Sequence, residues 1–140
     1  MPSIPLTVAF LNIQACAGTT KGNIPYLFDI PKYWVAWFGK EKQLQKIISF
    51  FCTQKTDILA LSEIDKPGLR SNFKDHVHIL AEGAQFTSHF FAHSRTVKGF
   101  FTMGNAIVSK FPFYASTSHI LPRGLAPRSL GIVSMNIRRG

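Results

Sequence analysis

The sequence is short of acid. Seven Asp and Glu stand against sixteen Lys and Arg, a formal charge of +9, and the pI is about 10.0. Such an excess attracts phosphate-rich partners at long range, without choosing among DNA, RNA, phospholipid head groups and small phosphate esters. An ordinary basic surface is an equal reading. The cations are scattered, with mild concentrations at Lys40, Lys42 and Lys46 and at Arg123, Arg128, Arg138 and Arg139. No run reads as a disordered basic tail. Cysteine is scarce as well. Cys16 and Cys52 fit no metal or redox spacing, which argues against a disulfide scaffold and points to two small residues in a reducing compartment. The histidines His76, His78, His89, His93 and His119 form no ligand cluster by spacing. His76 and His78, two apart, would face different sides of a helix. No apolar stretch reaches the roughly eighteen residues of a membrane span. The N-terminus lacks a basic segment and holds Pro2 and Pro5, so it is no signal peptide. A soluble, cytoplasmic protein with no transmembrane segment is expected. No repeat, low-complexity segment or linker divides the chain.

What is present favours a packed core. The hydrophobic fraction is 46%, with thirteen Phe among 140 residues. That length is one domain or part of a larger one, able to bury about two-thirds of its unfolded surface. Leu6 to Ile13 is almost wholly apolar and reads as a strand buried on both faces. Gln14 to Pro25 carries the breakers of a loop. Tyr26 to Phe38 is an aromatic run best taken as cover for the core. Lys40 to Gln54 reads as a helix, with Leu44, Ile47, Ile48 and Phe51 on one face. Ile58 to Ile64 is a second apolar strand, ended by Pro67 and Gly68. A helix is expected from Ser71 to Glu82, capped by Ser or Asn, with Phe73, Val77, Leu80 and Ala81 inward and Gly83 as its stop. Phe86 to Ala92, Ala106 to Ser109, Tyr114 to Ile120 and Leu130 to Asn136 are short strands. The strand, helix and strand at the start favour an α/β layered fold.

Asn12 and Glu63 stand near the ends of the two best strands. If those strands are parallel neighbours, both residues emerge at one sheet edge, where ligand sites of α/β sheets gather. An amide oxygen and a carboxylate are hard donors that suit Mg²⁺ or Mn²⁺ better than zinc. A lone strand-end Glu is more often solvated or paired with a lysine.

The surrounding segments resemble the endonuclease/exonuclease/phosphatase superfamily of metal-dependent phosphoesterases. Phe10-Leu11-Asn12-Ile13 is similar to its "TWNI" strand, and Leu59 to Ile64 to its "VALQEV" strand. Glu63-Ile64-Asp65 with Leu69-Arg70-Ser71 looks like an "EVD…xRS" stretch, and Gly104 to Pro112 like "GNAILSRYP". Leu121 to Gly124 with Pro127 to Leu130 looks like "LPxRG…EPRSA", although Ala126 replaces the acidic residue. The matches keep the family's order from residue 7 to residue 136.

The resemblance implies a partial four-layer α/β sandwich, two β-sheets flanked by helices, with residues 1–140 forming the N-terminal half of the domain and the C-terminal half missing. It implies that Asn12 and Glu63 hold Mg²⁺ or Mn²⁺. Arg128 would point at a phosphate, for which its planar fork is suited; a surface salt bridge is the equal alternative. Asn105 and Arg70 are lesser catalytic candidates, Asn105 with the end of a turn after Gly104 as its alternative role, and Asp65 would support the metal from behind. The family's later "NTHL", "GDFN" and "SDH" motifs have no counterpart, and Arg138 stands at the place of the first His. The complete protein would hydrolyse phosphodiesters or phosphomonoesters, on nucleic acid, phospholipid or a small ester. The alternatives are a non-catalytic basic module that binds nucleic acid or phosphate ligands, and an interaction module. Half a sandwich would leave an apolar sheet face to be covered by an oligomer or a partner.

Overall fold

The computed structural model describes residues 5–16, 39–121 and 127–137. The aromatic run Tyr26 to Phe38, most of the 121–126 motif and Arg138 lie outside the described residues. Eight elements are described: β1 (Val8–Asn12), α1 (Lys40–Thr53), β2 (Ile58–Lys66), α2 (His76–Gly83), β3 (Ser88–Val97), β4 (Phe101–Ser109), β5 (Phe113–Leu121) and β6 (Arg128–Met135). Short 3₁₀ turns at Gln14–Cys16 and Leu69–Ser71 follow β1 and β2. Four strands form a mixed sheet in the order β1-β2-β4-β3, and β5 pairs with β6 in a second. Strand β1 runs parallel to β2, completing the expected strand-helix-strand unit, while β4 is antiparallel to both β2 and β3.

The helices cover one face of the four-stranded sheet. Leu44, Ile48 and Phe51 of α1 and Val77, Leu80 and Ala81 of α2 pack on Leu59, Leu61 and Ile64 of β2 and on Ala106 and Val108 of β4. The β5–β6 sheet packs on the other face, chiefly over β3 and β4. The layers are therefore helices, sheet and second sheet, as an α/β sandwich requires. No helix among the described residues is long and apolar enough to cross a membrane.

Two expectations need correction. Strand β1 is not buried on both faces. It is an edge strand outside the reach of most of β5–β6, and Val8 and Phe10 are 61% and 71% exposed. The second helix starts at His76, not Ser71. Asn72 and Phe73 take left-handed backbone (φ 53° and 57°), which stops any helix running through them. Phe73 is 68% exposed rather than in the core. Asp75 supplies the cap instead, its Oδ1 accepting from the Val77 and His78 amides at 3.1 and 3.2 Å.

Beyond the β2 bulge lies a buried charged group. Arg70 Nε and Nη2 both donate to the Asp65 carboxylate, the first at 3.0 Å. The pair is 1% and 0% exposed. The guanidinium also lies 3.8 Å from the centre of the Phe101 ring, and buried Lys40 donates to the Arg70 carbonyl at 3.2 Å. Cys16 and His76 are buried nearby. Burial pushes the Cys16 thiol up to about 12. Burial also holds the His76 imidazole below its usual range, with Lys40 and Arg70 acting in the same direction against Asp65 and Asp75.

Removing one partner of the buried pair should be expensive. Arg70→Met is expected to cost about 3–5 kcal/mol, because Asp65 keeps its charge in the dry layer. Urea unfolding checks this, and a second change, Asp65→Leu, should recover much of the loss. His76, neutral in the fold, contributes stability that is fully present above the ordinary imidazole pKa of 6.5. That stability is lost as pH falls below this value, because the unfolded chain takes up the proton first. Thermal melts between pH 7 and pH 5 should show a steeper acid loss for the native chain than for His76→Gln.

Candidate metal centre

Parallel pairing sets Asn12 directly beside Ser62, one residue from Glu63. Both sequence-derived ligand candidates therefore come to one end of the sheet. The chain leaves β1 through an unusual turn. Gln14, Ala15 and Cys16 take φ values of 46°, 51° and 57°, left-handed backbone that costs about 1–2 kcal/mol per residue. Asn12 anchors this turn, its Oδ1 accepting from the Gln14 amide at 3.0 Å. A second lone pair on that oxygen stays available to a cation.

Glu63 is aimed by a bulge. Leu59 and Leu61 sit under the helices, so strict alternation would drive Glu63 into the same apolar layer. Instead Ile64 occupies that layer. The ladder passes from Leu61 opposite Ala106 to Ile64 opposite Gly104, so Ser62 and Glu63 both face Asn105. Glu63 itself adopts φ 58°. Bulges of this kind re-aim side chains and gather beside active sites.

Strand β3 carries a second extra residue at the same level. Ala92 pairs with Asn105 and His93 with Gly104, but Arg95 pairs with Met103, leaving Ser94 as the insertion. The backbones come so close that a Cβ on Gly104 would stand 2.2 Å from the Ala92 carbonyl oxygen; only glycine fits. Asn105 is thus flanked by two bulges. Its Nδ2 donates to the Ser129 carbonyl on β6 at 2.7 Å. A cleft of about 170 Å³ opens here between the sheets, with Ser62, Asn105 and Ser129 as its polar lining and Phe10, Phe90 and Leu130 among its apolar wall.

The other candidates fall differently. Arg128 opens β6 and is exposed, whereas its neighbour Ser129 is the buried residue facing the first sheet. Asp65 and Arg70 are buried and paired with each other. His76 is buried and His78 exposed, as their spacing predicted. Sequence reasoning missed Ser62, Ser94 and Ser129. Their one signal is a small polar residue interrupting an apolar strand, and serine does that often without consequence.

One carboxylate and two amides meet at this end, with no sulfur or imidazole among them. Among the described residues no group of three or more His, Cys, Asp or Glu that could hold a metal is found. The oxygen-only set fits Mg²⁺ or Mn²⁺, which take one or two carboxylates and complete their shells with water and phosphate oxygens.

No family model and no curated protein matches the sequence. Solved structures do match the fold. An endonuclease/exonuclease/phosphatase from Beutenbergia cavernae DSM 12333 superposes with a TM-score of 0.65 at 19% identity, over 94% of this chain and 34% of that one. An endonuclease/exonuclease/phosphatase family protein from Leptotrichia buccalis C-1013-b gives a TM-score of 0.63 at 14% identity, over 95% of this chain and 50% of that one. The chain spans a third to a half of the length of these structures. The fold expected from the sequence resemblance is the fold observed.

The bulge makes a stability prediction that separates backbone from ligand. Glu63→Gly removes the side chain and relieves the left-handed strain, whereas Glu63→Ala removes the side chain and keeps it. The glycine variant should be more stable than the alanine variant by about 1 kcal/mol, measured by denaturant unfolding. Equal stabilities would contradict a left-handed residue at position 63.

Proposed function

We propose that this chain supplies one flank of a divalent-metal site for phosphoester hydrolysis, and that the whole protein cleaves phosphodiester or phosphomonoester bonds. The observation that carries the reading is the meeting of Asn12 with a bulge-aimed Glu63 on adjacent parallel strands. In this reading Glu63 holds Mg²⁺ or Mn²⁺ through its carboxylate and Asn12 through its amide oxygen. Such an ion neutralises a phosphate oxygen and lowers the barrier for the attacking water or the leaving oxygen. Asn105 sits opposite the bulge and orients polar groups beside the ion. Arg128 brings a guanidinium to the start of β6, where its fork suits a phosphate. The formal charge of +9 favours approach of an anionic substrate. The fold shared with the two endonuclease/exonuclease/phosphatase structures supports the reaction class.

These residues bind and orient. The described part of the site holds no imidazole and one carboxylate, so a positioned base for the nucleophile comes from elsewhere in the proposed whole protein. The chain by itself is expected to bind the ion without turnover. In Mn²⁺ titrations followed by amide NMR, paramagnetic broadening should centre on Asn12, Ser62, Glu63 and Asn105, and Glu63→Gln should abolish it. Broadening that ignores this substitution overturns the metal assignment. In bis-(p-nitrophenyl) phosphate assays with Mg²⁺, robust turnover by this chain, lost in Glu63→Ala, would overturn the view that the site is shared.

A further inference from the structure

Ser129 ties β6 to β3 and β4. It has one hydroxyl hydrogen, and Ser129 Oγ donates it to the Ala92 carbonyl at 2.8 Å. The 2.6 Å contact between the Ser94 and Ser129 hydroxyls therefore has Ser94 as donor and Ser129 as acceptor. Ser94 is the inserted residue of the β3 bulge. The Ser129 carbonyl in turn takes the Asn105 Nδ2 hydrogen at 2.7 Å. The Ser129 carbonyl and the Asn105 Oδ1 are both acceptors without a hydrogen and cannot bond to each other, so this bond decides which way the Asn105 amide is turned. Nδ2 goes to β6, and Oδ1 is left to accept on the other side of the planar amide. Asn105 is also the residue that both members of the β2 bulge, Ser62 and Glu63, face across the ladder.

We propose that Ser129 and Ser94 are positioning residues for the metal centre: they fix the Asn105 amide with its Oδ1 presented to the water shell of an ion held by Glu63. The inference rests on the metal reading above and adds a supporting layer to it. A two-stranded sheet is a poor platform by itself, because an isolated pair of strands is marginal in water. The serine pair gives it a defined seat at the one level where the site stands. Partners behind metal ligands of this kind commonly change metal affinity by about 10–100-fold when removed.

The experiment uses the full chain with Mn²⁺ alone as the probe. In the native protein one Asn105 side-chain amide proton should be shifted downfield and protected by its bond to Ser129, and both should broaden with the Mn²⁺ effect at Asn12 and Glu63. Ser129→Ala should collapse that amide splitting and weaken Mn²⁺ by about tenfold or more. Ser129→Thr, which keeps the hydroxyl, should restore both. Should Ser129→Ala not fold, Ser94→Ala tests the same link from the β3 side, and a smaller change of the same sign is expected. Unchanged Mn²⁺ affinity in a folded Ser129→Ala or Ser94→Ala chain overturns the positioning role alone. Absence of Mn²⁺ broadening in the native chain overturns the metal reading and this role with it.

Discussion

Strand β2 has two obligations that conflict in register. Its residues at Leu59 and Leu61 must lie beneath two helices, and its carboxylate at Glu63 has the same parity. A regular strand would bury that charge in an apolar layer, at a cost of several kcal/mol. One extra residue removes the conflict. It hands the apolar position to Ile64, frees Glu63, and sets both Ser62 and Glu63 against Asn105. Much of the local structure answers to that insertion. Strand β3 carries its own bulge at the same level, and its Ala92 carbonyl comes so close to Gly104 that no other residue fits. The left-handed backbone at Glu63 is local strain held in place by the surrounding ladder.

The buried charges play a different part. Asp65 and Arg70 follow the bulge by a few residues, in the segment read from the sequence as an "EVD…xRS" stretch. In the fold they join the end of β2 to the 3₁₀ turn after it, with Phe101 stacked on the guanidinium and Lys40 reaching in from α1. This arrangement ties the end of β2, the turn after it and the start of α1 together. This part of the molecule is sensitive to acid because His76 is held neutral, first by its burial and then by Lys40 and Arg70 against Asp65 and Asp75. The site side is built from neutral amides and hydroxyls around one carboxylate.

Exposure is uneven across the sandwich. The β5–β6 sheet seats itself over β3 and β4 through Ser129 and Asn105, while Val8 and Phe10 on β1 stay open to water. The sequence pattern anticipates an apolar face but not which strand bears it. An edge strand and a central strand can have the same composition, and only pairing distinguishes them. The same holds for Phe73, which reads as the first core residue of a helix and instead sits outside it. Two consecutive left-handed residues, Asn72 among them, divide the segment there.

The linear sequence by itself determined the order of most strands and both helices, the apolar faces of α1 and of the later part of α2, and the two residues most worth placing at a strand end. Those features follow from local periodicity and from short-range turn chemistry, and they survive in any fold that keeps the strand-helix-strand start. The tertiary structure alone decided that Glu63 leaves the core, that Arg70 and Asp65 enter it, and that Ser94 and Ser129 meet across the sheets. Each of these depends on an inserted residue or on contact between segments up to 35 positions apart in the chain. Periodicity read along a strand carries no record of a bulge, because the extra residue is defined by the partner strand opposite it.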